Sequence, residues 1–115
     1  MSSVPDPSLA PFVVRPDVSL EDALARIEEN RHRSVIVADE RDVVVGTLSD
    51  GDARKAILDH RLLSIPVRQV MNTNFISLRL DRREEAGGIF EREHIFLIPL
   101  VDDEGRILEV LKAYD

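Results

Sequence analysis

The sequence predicts a mixed α/β (α+β) fold made of two copies of a β-α-β-β-α unit. The same order of apolar runs and polar turns occurs twice in 115 residues, and a shift of 63 residues places Val13 on Ile76 and Asp39 on Asp102. Either copy alone would bury too little apolar surface for a stable core. We therefore expect the two copies to share one hydrophobic core.

The first copy begins with a predicted strand and a capped helix. Residues 12–14 form a short apolar run that Pro16 stops. Ser19 is placed to cap the next helix, with Asp22 at the third helical position, and the polar stretch 28–32 ends that helix. Its apolar face, at helical spacing, comprises Leu20, Ala23, Leu24 and Ile27.

Two strands and a second helix complete the first copy. Residues 35–38 and 43–48 are apolar at successive positions, which predicts burial on both faces, and a polar turn over 39–42 joins them. A helix begins within residues 49–52, and residues 66–71 form a helical turn that starts at a proline. The residues of the second helix predicted to face inward are Ala53, Ala56, Ile57 and Leu58.

The second copy repeats this order. Its predicted elements are a strand over 75–77, a helix over 81–93, a strand over 96–101, a turn over 102–105 and a strand over 106–111. Asp81 and Glu84 have the spacing of a helix cap. The chain therefore divides into an irregular lead-in (1–11), a first repeat (12–64) and a second repeat (65–115) whose last helix is truncated, and the repeats together form one domain.

Composition narrows the class of function. The formal net charge is −7, with 15 basic against 22 acidic residues, which argues against broad binding to nucleic acid or to an anionic membrane. The chain has no cysteine, so it has neither a disulfide framework nor a thiolate metal site. No apolar run approaches the length of a membrane span, and the first residues lack the pattern of a signal peptide. We expect a cytoplasmic protein that binds neither nucleic acid nor membranes.

The start of the second helix holds the strongest candidate site. The spacing of Ser49 and Asp52 favours a capping box, in which both side chains satisfy free backbone N–H groups. The alternative is ligand binding, because a helix N-terminus attracts phosphate and a carboxylate accepts hydrogen bonds from ribose hydroxyls. Gly46 and Gly51 would let a ligand approach the backbone, and Arg54 would face its negative charge. Spacing alone leaves both interpretations open.

The sequence offers little for catalysis or for metal binding. His32, His60 and His94 are scattered, without a second ligand at metal-binding spacing. No nucleophile elbow or glycine-rich nucleotide loop is present, and no carboxylate can be paired with a proton-transfer partner. We predict no catalytic residue and no metal site, and we expect that the chain is not an enzyme in itself.

The repeat and its central motif resemble a cystathionine-β-synthase (CBS) domain pair, also called a Bateman module. The family motif is a glycine, two residues, a serine or threonine, two residues and an aspartate, and here it is Gly46, Ser49 and Asp52. The resemblance covers about residues 12–115. With the Val-Met-Asn sequence of residues 70–72, it is most similar to the pairs that precede sugar-phosphate nucleotidyltransferase domains, and a similar variant occurs in sugar-phosphate isomerases.

The resemblance implies a fold and a class of ligand. The repeats would pack through their sheets with pseudo-two-fold symmetry, and the cleft between them would take AMP, ADP, ATP or S-adenosylmethionine as a regulatory ligand, with no cofactor required. Asp52 would hold the ribose, Ser49 and Arg54 would face phosphate, and apolar residues would contact the adenine. The implied ligand-binding residues are Gly46, Thr47, Ser49, Asp52, Arg54, Phe75, Ile76, Ile98 and Pro99. The alternative for the apolar members is ordinary core packing.

The second repeat departs from the motif. At the same shift of 63 residues, Gly46 becomes Glu109, Ser49 becomes Lys112 and only the aspartate survives, as Asp115. Glu109 would obstruct close approach of a ligand, and Lys112 removes the hydroxyl. We therefore expect one competent site at most.

The resemblance implies two alternative functions. The first is a regulatory adenine-nucleotide-binding module that controls a fused or partner sugar-phosphate nucleotidyltransferase. The alternative is a ligand-free structural module that forms a homodimer through the CBS helices. Gly87 and Gly88, which are costly inside a helix, could serve such packing.

Overall fold

Two three-stranded sheets form the centre of the structure, a computed structural model that describes residues 7–115. The strands are β1 (Val13–Val14), β2 (Ser34–Ala38), β3 (Val44–Ser49), β4 (Leu78–Arg79), β5 (Leu97–Val101) and β6 (Ile107–Lys112). The α-helices are α1 (Leu20–Asn30), α2 (Asp50–Leu58) and α3 (Ala86–Glu93), and 3-10 helices cover Pro7–Phe12, Val67–Gln69 and Leu80–Glu85. The sheet orders are β1-β2-β3 and β4-β5-β6, each with a parallel first pair and an antiparallel hairpin.

The two hairpins share one register, which confirms the tandem repeat. Val35 pairs with Leu48 in the first sheet, and Ile98 pairs with Leu111 in the second, at the predicted shift of 63 residues. Each hairpin also has a register irregularity at the same place, after Val37 and after Leu100. Both hairpins therefore depart from regular pairing at the same point.

The sheets pack on each other and share a core, as the fold class predicts. The central cluster draws Val13, Ile36 and Val44 from the first sheet, and Leu97 and Ile107 from the second. Two further clusters lie between each sheet and its own helices. Backbone hydrogen bonds from Val44 N to the Gly105 carbonyl oxygen (3.0 Å) and from Ile107 N to the Asp42 carbonyl oxygen (2.8 Å) join the hairpins directly.

The start of the second repeat differs from its prediction. Residues 75–77 are irregular, and the first strand is β4, which begins at Leu78. The predicted helix over 81–93 is also wrong in its first half, which is the 3-10 helix Leu80–Glu85 with a non-helical Arg82. Arg79 precedes this helix without any side-chain cap, so Asp81 and Glu84 do not begin an α-helix as predicted.

Two apolar residues of α2 face solvent, contrary to the prediction that they face inward. Ile57 is 48% exposed and Leu58 is 71% exposed, whereas Ala53 and Ala56 are buried against the first sheet. At about 100° per residue, Leu58 lies about 140° around the helix from Ala53. The short alanines therefore form the buried face of α2, and larger apolar side chains form its outer face.

The lead-in is only partly described by the structure. Residues 1–6 of the predicted irregular lead-in lie outside the described residues, and the rest of it is in the 3-10 helix Pro7–Phe12. Leu9 of that helix is buried in the central core. Within residues 7–115, no helix combines the length and the apolar character that crossing a bilayer requires.

Candidate functional site

A cleft of about 350 Å³ opens where β3 meets α2 and where the second repeat approaches. Its walls come from both repeats: Thr47, Ser49 and Asp52 on one side, and the segment from Glu93 to Leu97 on the other. Its volume lies in the range of small-molecule sites, and polar groups stand among apolar ones as such sites require.

Ser49 and Asp52 form the predicted capping box and also line the cleft. The Asp52 backbone N–H donates to Ser49 Oγ at 3.1 Å, and the Ser49 backbone N–H donates to Asp52 Oδ2 at 3.0 Å. Within the described residues, no hydrogen bond engages Asp52 Oδ1. The cap therefore holds the carboxylate in place through one oxygen and leaves the other oxygen available at the wall of the cleft.

Gly46 has a structural role that the motif alone does not reveal. A Cβ at Gly46 would lie 2.6 Å from Met71 Sδ and 3.1 Å from the Asn72 carbonyl oxygen. Next to it, the backbones of Thr47 and Asn72 exchange two hydrogen bonds, of 3.0 and 2.7 Å. The missing side chain therefore lets the segment between the repeats pack against β3. Asn72, in that segment, forms part of the wall of the cleft.

The other predicted residues divide into those inside and those outside the cleft. Phe75 and Ile76 line it, and both are only partly buried. Ile98 and Pro99 do not line it, because they are fully buried in β5, and Ile98 packs in the core beneath α3. Arg54 also lies elsewhere, beside Leu24 on the outer face of α2. Because it comes two residues after Asp52, about 200° around the helix, its side chain cannot face the same space.

The second repeat supplies wall residues that the sequence analysis missed. These additional polar and aromatic residues are Asn72, Asn74, Glu93, His94 and Phe96. His94 ends α3 with a left-handed backbone (φ 54°), and Arg31 ends α1 in the same conformation (φ 59°). The internal repeat could have related these two corners, but nothing in the sequence places the second corner opposite Asp52.

The corresponding position across the pseudo-two-fold axis is filled by the protein's own side chains. The Tyr114 ring stacks on buried His32 with centroids 4.8 Å apart and planes 13° from parallel, and Tyr114 Oη donates to the Arg31 carbonyl oxygen at 3.0 Å. His32 also contacts the edge of Phe12, over whose ring Lys112 Nζ lies at 5.5 Å. Phe12 and His32 precede the cleft residues Phe75 and Ile95 by 63 residues.

Metal binding finds no support in the part of the chain that the structure describes. No group of three or more histidine or acidic side chains there is arranged to hold an ion. The acidic turn at Asp102 instead closes a hairpin, because its Oδ1 accepts hydrogen bonds from the Glu104 and Arg106 backbones at 2.9 and 2.8 Å.

Comparison with known proteins identifies the family. The profile of the CBS domain matches residues 2–59, which is half of the chain. The chain belongs to the CBS domain family. An uncharacterized protein of Helicobacter pylori is similar at 35% identity over 108 residues, covering 89% of this chain and 32% of that protein. Arabinose 5-phosphate isomerase GutQ of Salmonella typhi is similar at 30% identity over 98 residues, covering 84% and 30%.

Solved structures of CBS domains share the fold. The CBS domains of a transcriptional regulator from Streptococcus pneumoniae superpose with a TM-score of 0.74 at 22% identity, covering 90% of this chain and 83% of that one. A CBS domain protein from Pyrobaculum aerophilum complexed with AMP gives 0.74 at 18% identity, covering 89% and 79%. The CBS domain pair of protein MJ0100 with 5′-methylthioadenosine and S-adenosyl-L-methionine gives 0.74 at 19% identity, covering 90% and 82%. This chain is a CBS domain pair in its fold.

Proposed function

We propose that this CBS pair is a regulatory module that binds one adenosyl ligand in the cleft between Asp52 and the second repeat. The observation that carries the proposal is the position of Asp52: the capping box fixes its carboxylate at the wall of a cleft of about 350 Å³ and leaves Oδ1 without a partner among the described residues. Similarly folded CBS pairs have been solved with AMP and with S-adenosyl-L-methionine.

The cleft contains a partner for each part of an adenosyl group. Asp52 Oδ1 would accept hydrogen bonds from the ribose hydroxyls, as a carboxylate at a helix start can do. The partly buried side chains of Phe75, Ile76 and Ile95 would cover the adenine. Asn72 and Asn74 offer amide groups for the polar edge of the base.

Binding would act on a catalytic domain outside the chain. The chain spans about a third of the length of the curated relatives it matches. A ligand that touches both repeats can shift their relative arrangement if its affinity differs between two arrangements. The regulated partner in this proposal is a sugar-phosphate enzyme, with a nucleotidyltransferase as the first candidate because of the motif and the Val-Met-Asn segment, residues 70–72.

A second candidate is a structural module that dimerises through its helices without a ligand. It is favoured by an apolar patch on the outer face of α2 and the segment after it, where Ile57 (48%), Leu58 (71%), Leu62 (68%) and Leu63 (43%) are exposed. On α3, a Cβ at Gly87 would meet nothing within 4 Å, so that surface is open as well. Exposed apolar patches of this kind mark association surfaces.

Isothermal titration calorimetry with adenosine, 5′-methylthioadenosine, S-adenosylmethionine, AMP and ATP tests the first proposal. We expect at least one of them to bind with a stoichiometry of one, and we expect Asp52→Ala to weaken that ligand at least tenfold. Asp22→Ala is the matched control, because Asp22 holds the same third position of α1 and does not line the cleft. Its effect on affinity should be less than twofold.

The same titrations separate the two candidates. Binding that survives Asp52→Ala would contradict the assignment of the site. If none of the five ligands binds, and sedimentation shows a dimer whose mass is unchanged by Asp52→Ala, the structural module is the better description. If Leu58→Glu then dissociates that dimer, the apolar patch is its interface.

A further inference from the structure

We infer that the cleft selects adenosyl ligands that carry no phosphate, and that it favours a positively charged one such as S-adenosylmethionine over AMP and ATP. The inference rests on the proposed function, because it names the class of ligand for the same site. Its basis is the set of charges that line the cleft and the side chains that are absent from its walls.

The walls of the cleft carry carboxylates without a matching base. Asp52 approaches from the first repeat and Glu93 from the end of α3 in the second. Among the described residues that line the cleft there is no lysine and no arginine, and His94 is the one group that can gain a positive charge. A phosphate placed here would face two negative charges across a small space, whereas a sulfonium or ammonium group would be attracted to them.

The nearest basic residues are turned toward other partners. Arg54 lies on the outer face of α2 beside Leu24 and Ile57. Arg33 lies over the Phe96 ring, 5.5 Å from its centroid, and does not itself line the cleft. Neither guanidinium is therefore arranged to meet a phosphate inside the cleft.

The N-terminus of α2 is also already occupied. Free N–H groups and the dipole at a helix start usually favour phosphate. Here Ser49 Oγ accepts from the Asp52 backbone N–H at 3.1 Å, and the first turn contains two acidic residues, Asp50 and Asp52. The capping box thus satisfies part of the helix end with the protein's own groups and adds negative charge beside it.

A neighbouring depression holds the cations that a phosphate would need, but it balances them. It lies beyond Asp52 and Asn72, and Lys55 and Arg61 line it together with Asp59. With Asp52 also in its wall, two basic residues meet two acidic ones. A 5′ phosphate would have to pass the Asp52 carboxylate to reach Lys55, so this depression does not convert the cleft into a nucleotide site.

The test is a titration series in which ligand charge is varied on a constant adenosyl group. At low ionic strength we expect affinity to fall in the order S-adenosylmethionine, 5′-methylthioadenosine, AMP and ATP, with at least tenfold between the first and AMP. Added salt should weaken S-adenosylmethionine and strengthen AMP, since screening reduces both attraction and repulsion. Glu93→Lys should narrow the preference at least tenfold. Glu91→Lys makes the same change on an exposed position of α3 that does not line the cleft, and should change it less than twofold.

The outcomes distinguish this inference from the proposed function. AMP or ATP binding as tightly as S-adenosylmethionine, and lost in Asp52→Ala, would overturn the charge preference and leave the adenosyl site standing. If Lys55→Met then weakened AMP at least tenfold, the phosphate would be shown to reach the neighbouring depression. No binding by any of the four ligands would overturn both the preference and the site.

Discussion

The two repeats have the same hairpin register but differ in the segment that comes after the third strand of each. In the first repeat, β3 leads into α2, and the capping box turns Asp52 toward an open cleft. In the second repeat, β6 ends at Lys112 and the chain folds back so that Tyr114 stacks on His32. One position is a cleft, and its symmetry-related position is packed with side chains.

This difference shows that a pseudo-symmetric backbone does not by itself create two sites. The strand pairs that frame the cleft, Ser34 with Ser49 and Leu97 with Lys112, are equivalent in register. The hydroxyl of Ser49 in the first pair is replaced by the ammonium group of Lys112 in the second, and the space beyond it is taken by an aromatic stack. Backbone geometry sets where a site can be, and the side chains at the end of the third strand decide whether it is open.

The largest expected effect compares the cores of the two repeats. Leu48 is fully buried between the first sheet and its helices, while Leu111, its counterpart in the second sheet, is only partly buried. We expect Leu48→Ala to lower the free energy of unfolding by about 2–5 kcal/mol and Leu111→Ala by about 1–2 kcal/mol, since a partly exposed leucine leaves a smaller cavity. Urea denaturation monitored by circular dichroism measures both.

Equal losses for the two leucines would show that the repeats are equally well packed, and would remove the structural difference between them. Leu111→Met serves as a control, because a substitution that conserves volume should cost less than about 1.5 kcal/mol.

An intermediate effect is expected where Tyr114 fills the second position. Tyr114→Ala removes the ring stacked on His32 and the hydrogen bond to the Arg31 carbonyl oxygen, and should cost about 1–2 kcal/mol of unfolding free energy. Tyr114→Phe keeps the stack and loses the hydrogen bond alone, so about 0.5–1.5 kcal/mol bounds its cost. Thermal and urea unfolding of the two variants separates the two contributions.

The same variant tests whether the second position is merely blocked. We expect calorimetry on Tyr114→Ala to retain a stoichiometry of one, because Lys112 and Glu109 still replace the hydroxyl and the glycine of the motif. A second binding event in this variant would mean that Tyr114 alone closes a competent site.

Most of the fold could be predicted because its long strands have a strong local signal. Residues 35–38 and 97–101 are apolar at every position, and the aspartates at 39 and 102 mark the turns after them. β4 could not be predicted in the same way, since a strand of two residues has no period to detect, and its alignment with β1 is shifted from the rest of the repeat. Leu78 is fixed by pairing with Leu100 rather than by its neighbours in sequence.

The site was predictable on one side only. Ser49 and Asp52 are three residues apart in a local motif, so their proximity results from the start of a helix. Glu93 and His94 reach the cleft only because the sheets pack on each other, which no local pattern records. Ile98 was placed in the site for its apolar character, but strand residues alternate between two faces, and both faces of β5 are buried.

The smallest expected effect concerns Glu109, which stands where the first repeat has Gly46. Its Oε2 lies 2.5 Å from Arg83 Nη2, but the two side chains are 47% and 48% exposed. Exposed pairs of this kind contribute about 0–1 kcal/mol, so Glu109→Gln should change the free energy of unfolding by less than about 0.5 kcal/mol, and less again at high salt. A larger loss in urea denaturation would mean that this ion pair, rather than the stacking of Tyr114 on His32, is what chiefly holds the second position together.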